Sequence, residues 1–248
     1  MTPTRSRFLG TTNIIRFNRG KYAAAAIAVV ALATAAVVDA SLAVPSLIGI
    51  AAILIGVGAS LGVSYWVYDA SNLYDFGWAS AIRDGDRVAV VHAGFDEVSE
   101  TLQARHDSPL HTVSFYNRLE ITEASIRRAQ DHNDASAAEV VETGLPILAA
   151  GGFDWVVAFM CLHELRTEHA RQDLLTELQH GLNDDGKLVV VEHLRDLPNA
   201  IAFSIGVFHF HTRSSWATDF AAAGLQIVSE NKTTPFVTEF VLGRAPHT

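Results

Sequence analysis

Two short stretches hold most of the reactive side chains: His163-Glu164-Leu165-Arg166 and Glu192-His193-Leu194-Arg195-Asp196, with His92 alone upstream. A histidine that titrates near neutrality beside a carboxylate can take a proton from a hydroxyl or an amine, and arginine can hold an anionic group. His163, Glu164, Arg166 and His193 are therefore candidate catalytic residues, and Glu192 and Arg195 candidate substrate contacts. Charges at strand ends are costly unless paired, so an ion-pair network among the same residues is an equally good reading. A zinc-protease helix would need H-E-x-x-H. Thr167 stands where the second histidine belongs and His169 falls on another helix face, so spacing assigns no metal. A site assembled across strands from His92, His163, Glu164 and His193 stays open as an alternative.

These residues follow apolar runs that read as strands. The sequence predicts strands over 87–92, 111–116, 138–141, 154–160, 187–193, 225–230 and 236–243. Helices are expected near 71–83, 96–105, 121–131, 167–181 and 213–223. Alternation of strand and helix signals an α/β domain with a parallel sheet covered by helices. Leu188 to Val191 is purely apolar, as expected of a central strand. The last two strands have no helix between them and read as an edge hairpin. In such sheets ligands bind at the carboxyl ends of the strands, where His92, His163 and His193 fall.

The first seventy residues are different. Residues 1–21 contain five basic side chains, Arg5, Arg7, Arg16, Arg19 and Lys21, and no acid. Uncharged runs follow over Tyr22–Val38 and Ala40–Tyr68, each long enough to span a bilayer. The expectation is a two-helix transmembrane hairpin, roughly 22–39 and 44–67, giving one unit over 1–68 and a second over 69–248. The positive N-terminus places the larger unit in the cytoplasm, tethered to the cytoplasmic membrane. Tyr65, Trp66 and Tyr68 are expected at the interface as aromatic anchors. Gly49, Gly56, Ala59 and Gly62 include small-residue spacings that allow close helix approach, hence a homo-oligomer paired through the hairpin. The rest of the chain has 13 basic residues against 27 acidic ones, which argues against nucleic acid. A single cysteine, Cys161, excludes an internal disulfide.

The strand and turn Val88 to Glu97, the Gly181-to-Leu188 turn and "FDWVVAFMCLHEL" after "GLP" resemble class I S-adenosylmethionine-dependent methyltransferases. "HAGFDE", "HELR", "EHLRD" and "TPFVTEF" resemble a bacterial group of that family with an N-terminal membrane hairpin. The resemblance spans about 69–248 and implies a Rossmann-like, seven-stranded methyltransferase domain that binds S-adenosylmethionine. It places His92, Gly94, Phe95 and Asp96 at the first cofactor turn, where Gly94 matches the first family glycine while Asp96 and Val98 replace the second and third. It places Asn117 at the ribose, Glu142 and Thr143 near the adenine, and Phe159 and Met160 beside the adenine or the sulfonium. Despite the lost glycines, a helix starting near Asp96 is expected to offer free amides to the ligand.

Residues 201–216, "IAFSIGVFHFHTRSSW", are unusually apolar for a segment over an active site, and His209 and His211 within it are candidate substrate contacts. It reads either as a helix packed on the sheet or as an apolar lid beside the bilayer. The functional expectation is a membrane-anchored methyltransferase acting on a hydrophobic small molecule such as a quinone, isoprenoid or lipid. The rivals are a non-catalytic membrane-tethered protein with the same fold, and a metal-assisted enzyme using the His/Glu cluster.

Overall fold

A computed structural model describes residues 7–106, 109–115, 124–132, 139–140, 147–148 and 151–246. The N-terminal part forms α1 (Leu9–Phe17), α2 (Arg19–Val38) and α3 (Ala43–Tyr65). Both α2 and α3 are long and apolar enough to cross a membrane, and α2 buries no residue within the protein. They lie against each other, and Gly49 leaves room for Leu32: a Cβ there would come within 3.0 Å of Leu32 Cδ1. Gly56 and Gly62 have nothing within 4 Å of such a Cβ.

The remainder forms β1 (Val88–His92), α4 (Ser99–Gln103), β2 (His111–Ser114), α5 (Ala124–His132), β3 (Glu139–Val140), β4 (Phe153–Phe159), α6 (Glu168–Gly181), β5 (Leu182–His193), α7 (Leu197–Phe203), α8 (Arg213–Ala222), β6 (Leu225–Thr234) and β7 (Val237–Arg244). The strands make one mixed sheet in the order β3-β2-β1-β4-β5-β7-β6. β7 is antiparallel to both neighbours, while the pairings among β1 to β5 are parallel.

Side-chain alternation along the central strands divides the core in two. Ala89, Val91, Val156, Ala158, Leu188 and Val190 join a cluster with Leu175 and Leu178 of α6 and Trp216 and Phe220 of α8. Val88, Val90, Val157, Val189 and Val191 face the other way, onto Val67, Leu73, Phe76, Trp78 and Leu102. Burial on both faces is why these strands are apolar throughout rather than alternating.

One local expectation differs. Residues 71–83 form short 3-10 turns, at Leu73–Asp75 and Gly77–Ala81, instead of one helix. Their aromatic side chains pack against the sheet, and Phe76 takes a left-handed backbone (φ 44°) that interrupts any regular helix. The apolar segment after Asp196 is helical: α7, capped by the Asp196 side chain, runs into a 3-10 turn over Ser204–His209.

The hairpin is laced to the α/β domain. Asp69, the first charge after α3, accepts hydrogen bonds from Gly10 N and Thr11 N at 2.8 Å and from the Thr11 hydroxyl at 2.6 Å. A carboxylate at this position satisfies free amides at the start of α1 and complements its dipole. Gly10 permits the contact, because a Cβ would come within 2.5 Å of Tyr68 Cβ. Asp69→Ala is expected to release α1, making cleavage by trypsin after Arg16 and Arg19 at least several-fold faster than in the parent.

Candidate active site

The expected aromatic anchors of α3 have other partners. Tyr65 stacks on Phe8, and Trp66 meets Phe236 edge to face. The Tyr68 hydroxyl lies 2.7 Å from His193 Nε2. His193 Nδ1 is 2.8 Å from the Phe236 carbonyl and so carries the ring proton, leaving Nε2 to accept from Tyr68. The ring also stacks on Phe210 at 4.8 Å. Burial pushes its pKa down to about 4. His193, expected as a proton acceptor for substrate, is a neutral link from the end of β5 to the turn after α3 and to the residue before β7.

His163 stands between two carboxylates. Its Nδ1 is 2.6 Å from Glu192 Oε2, and its Nε2 is 3.3 Å from Glu164 Oε1. Burial opposes charge on this ring, but Glu192 and Glu164 together raise its pKa to about 10. It is therefore a cation at neutral pH and holds its proton, which removes it as a general base in this state. Glu192 is fully buried; its Oε1 accepts from the amides of Leu162 and His163 at 2.9 and 3.2 Å. Expected to meet substrate, it instead shapes the turn after β4. Burial would raise the Glu164 pKa, yet hydrogen bonds from His163 and His209 hold it well below the usual carboxylate range. His209 Nε2 reaches Glu164 Oε1 at 3.4 Å, while Glu164 Oε2 is buried with no hydrogen-bond partner among the described residues.

The two arginines donate to the segment above. Arg166 donates to the carbonyls of His209 and Phe208, and Arg195 to those of Phe210 and Phe208. His211 is buried against Trp216, with Arg171 Nη1 3.3 Å from its Nε2. Burial, then the Arg171 charge, lowers its pKa to about 3. Arg195 and His211, expected at the substrate, thus both have partners within the protein. Arg171 in turn bonds Asp219 at 2.8 Å, a buried pair joining α6 to α8.

At the end of β1, Gly94 takes φ 91°, a conformation that suits glycine at a tight turn. Its amide donates to His92 Nδ1 at 3.1 Å, so the ring's single proton sits on His92 Nε2. That nitrogen is buried with no partner among the described residues, and burial lowers the ring's pKa. Asp96 differs from expectation. Its Oδ1 accepts from Val98 N at 2.9 Å and Ser99 N at 3.0 Å, so it caps α4 and takes amides expected to face a ligand. α4 accordingly starts at Ser99 and has five residues. Phe95 packs edge to face on Phe17 of α1, 5.3 Å between centroids. Phe159, expected beside the adenine, is covered by Tyr74 and Phe76. Met160 closes β4 with φ 50°. Asn117, Glu142 and Thr143 lie outside the described residues.

Sequence reasoning missed three contacts: the Tyr68–His193 bond, the Asp69 cap and the Arg171–Asp219 pair. Asp69, a lone acid directly after a long uncharged run, was the readable signal. Nothing in local spacing links residues 125 or 48 positions apart, as in the other two.

No family model matches the sequence, and no curated protein does. Solved structures do match. The pyocyanin biosynthetic protein PhzM aligns with TM-score 0.50 at 15% identity, over 75% of this chain and 58% of that one. The mitomycin 7-O-methyltransferase MmcR aligns with TM-score 0.46 at 18% identity, over 71% and 55%. A magnesium protoporphyrin IX methyltransferase from Synechocystis PCC 6803, solved with bound SAH, aligns with TM-score 0.46 at 13% identity, over 70% and 81%. The chain thus spans little more than half the length of the first two. The domain has the fold of class I S-adenosylmethionine-dependent methyltransferases.

Proposed function

We propose that this protein is a membrane-anchored methyltransferase that uses S-adenosylmethionine and acts on a lipid-soluble small molecule such as a quinone, isoprenoid or lipid. The observation that carries the reading is where the apolar surface lies. Leu197, Ile201, Ile205 and Phe208, spaced along one face of α7 and the following turn, are 64–83% exposed. α7 packs against α3, so this stripe continues the surface of a candidate membrane helix up to the carboxyl ends of β4 and β5. An amphipathic face of this kind can lie in the interface plane of a bilayer. The basic N-terminus favours the cytoplasmic side for the domain.

The first cofactor turn fits a bound adenosyl ligand in two respects. Gly94 makes the tight turn, and the His92 Nε2–H is the kind of orphaned buried donor that a ligand carboxylate would satisfy. The cofactor would supply an electrophilic methyl group on a sulfonium centre. The protein's part is then to position the acceptor and exclude water. The apolar segment over 197–210, whose carbonyls accept from Arg166 and Arg195, lies beside the carboxyl ends of β4 and β5.

A second reading, a tethered fold without cofactor, is favoured by the Asp96 cap. Methyl-labelled S-adenosylmethionine incubated with the full chain in bilayers separates the two. The proposal expects label in the lipid extract, reduced at least tenfold by the double substitution Ile201→Glu and Phe208→Glu. Label that never enters the lipid phase, or transfer indifferent to those charges, would overturn the lipid-soluble substrate.

A further inference from the structure

The histidine and carboxylate cluster has a geometry that ion pairing does not require. His163, Glu164 and His209 each offer a ligand atom within 4.8 Å of the other two. The two shorter separations are 3.3 Å, His163 to Glu164, and 3.4 Å, His209 to Glu164. Ligands about 2.0–2.1 Å from a tetrahedral zinc ion stand about 3.3–3.4 Å apart, so two edges of the tetrahedron are already formed.

Two further observations point to an ion. Glu164 is 4% exposed, and its second oxygen has no partner among the described residues. His163 Nδ1 faces Glu192 at 2.6 Å, which sets the ring so that Nε2 points away toward Glu164 and His209. Metal-bound histidines are held in this way, with the far ring nitrogen donating to a carboxylate. We propose that His163, Glu164 and His209 bind one divalent transition-metal ion, zinc by the donor set, with Glu192 orienting His163. Two imidazoles and a carboxylate leave a fourth position open, as in catalytic rather than structural zinc sites.

His209 is the adjustable member. It ends the 3-10 turn over Ser204–His209, and its side chain is 27% exposed, against 9% and 4% for the other two. A small shift of that turn closes the third edge. Binding replaces the proton that His163 Nε2 shares with Glu164, and that proton leaves to solvent. Arg166 Nη1 lies 3.3 Å from His209 Nδ1, but its main partners are backbone carbonyls, so the guanidinium can stay when His209 turns toward an ion.

The site does not depend on the adenosyl ligand, and its test is separate. The full chain in detergent micelles, stripped with a chelator, is titrated with Co2+ and Zn2+ alone. One equivalent should bind at micromolar concentration or below, and the cobalt form should show the intense visible absorption of a low-coordinate site. His209→Ala and Glu164→Gln should each weaken binding at least tenfold, whereas His169→Ala, in an exposed pair with Asp173, should leave it unchanged. Sub-stoichiometric binding by the parent, or an unaltered cobalt spectrum in a folded His209→Ala or Glu164→Gln chain, would overturn the proposal. If both variants fail to fold, the stoichiometry and spectrum of the parent decide it alone.

Discussion

Asp219→Ala is expected to destabilise the protein by about 3–5 kcal/mol, the cost of leaving one charge of a buried pair without its partner. Asp219 is 0% and Arg171 4% exposed. The carboxylate accepts from Arg171 Nε at 2.8 Å and from Gln172 Nε2 at 3.1 Å. The same guanidinium donates to the Leu165 carbonyl and lies over the Trp216 ring, so the variant also loosens the turn after β4. Chemical denaturation of the full chain in micelles measures the loss. Replacing both residues together by apolar side chains of similar volume should recover most of it, because no unpaired charge then remains. A double variant as unstable as Asp219→Ala would show that packing, not charge, is at stake.

The second large effect is a loss of stability in acid through His193. Its folded pKa, about 4, lies below the ordinary value of 6.5, because burial disfavours the charged ring. The unfolded chain therefore binds the proton first. The contribution of the neutral ring is fully present above pH 6.5 and is lost as pH falls through 6.5 toward 4. The window corresponds to about 3 kcal/mol. Protonation would put a donor against the Tyr68 hydroxyl at 2.7 Å and a charge beside Phe203 and Phe210. Stability measured from pH 7 to pH 4 should fall more steeply in the parent than in His193→Gln, which has no such group to titrate. Equal slopes would contradict the assignment.

The sheet was legible in sequence because its central strands are buried on both faces. Runs such as Val88–Val91 and Leu188–Val191 leave no polar position to confuse the period. The hairpin was legible for a related reason: its uncharged runs have no alternative solvent but lipid or a large core. The segment at 71–83 was misread because its aromatic residues suit a helix face as well as the packed turns that hold Phe76 and Trp78 on the sheet. The character of 201–216 was left open between two readings, since apolar residues at helical spacing on an exposed surface look like core.

The position of these side chains along the sheet was legible, but their partners were not. His92, His163, Glu164, Glu192 and His193 do gather at the carboxyl ends of β1, β4 and β5, as strand-end placement requires. Which of them is spent on structure depends on partners distant in sequence. Tyr68 fixes His193, the carbonyls of 208–210 occupy both arginines, and Asp96 caps α4. No local pattern announces these pairings, because each is made by the approach of two elements. Cluster membership was likewise incomplete: His209, read as a substrate contact, is the residue that joins His163 and Glu164.

Whether the domain holds an adenosyl ligand is decided by calorimetric titration of the full chain with S-adenosylhomocysteine. Saturable binding of one equivalent in the micromolar range is expected, about 8 kcal/mol of binding free energy, weakened roughly tenfold or more in His92→Ala. Heat indistinguishable from dilution at millimolar ligand, with the protein folded, would contradict it and leave a methyltransferase fold that serves another purpose.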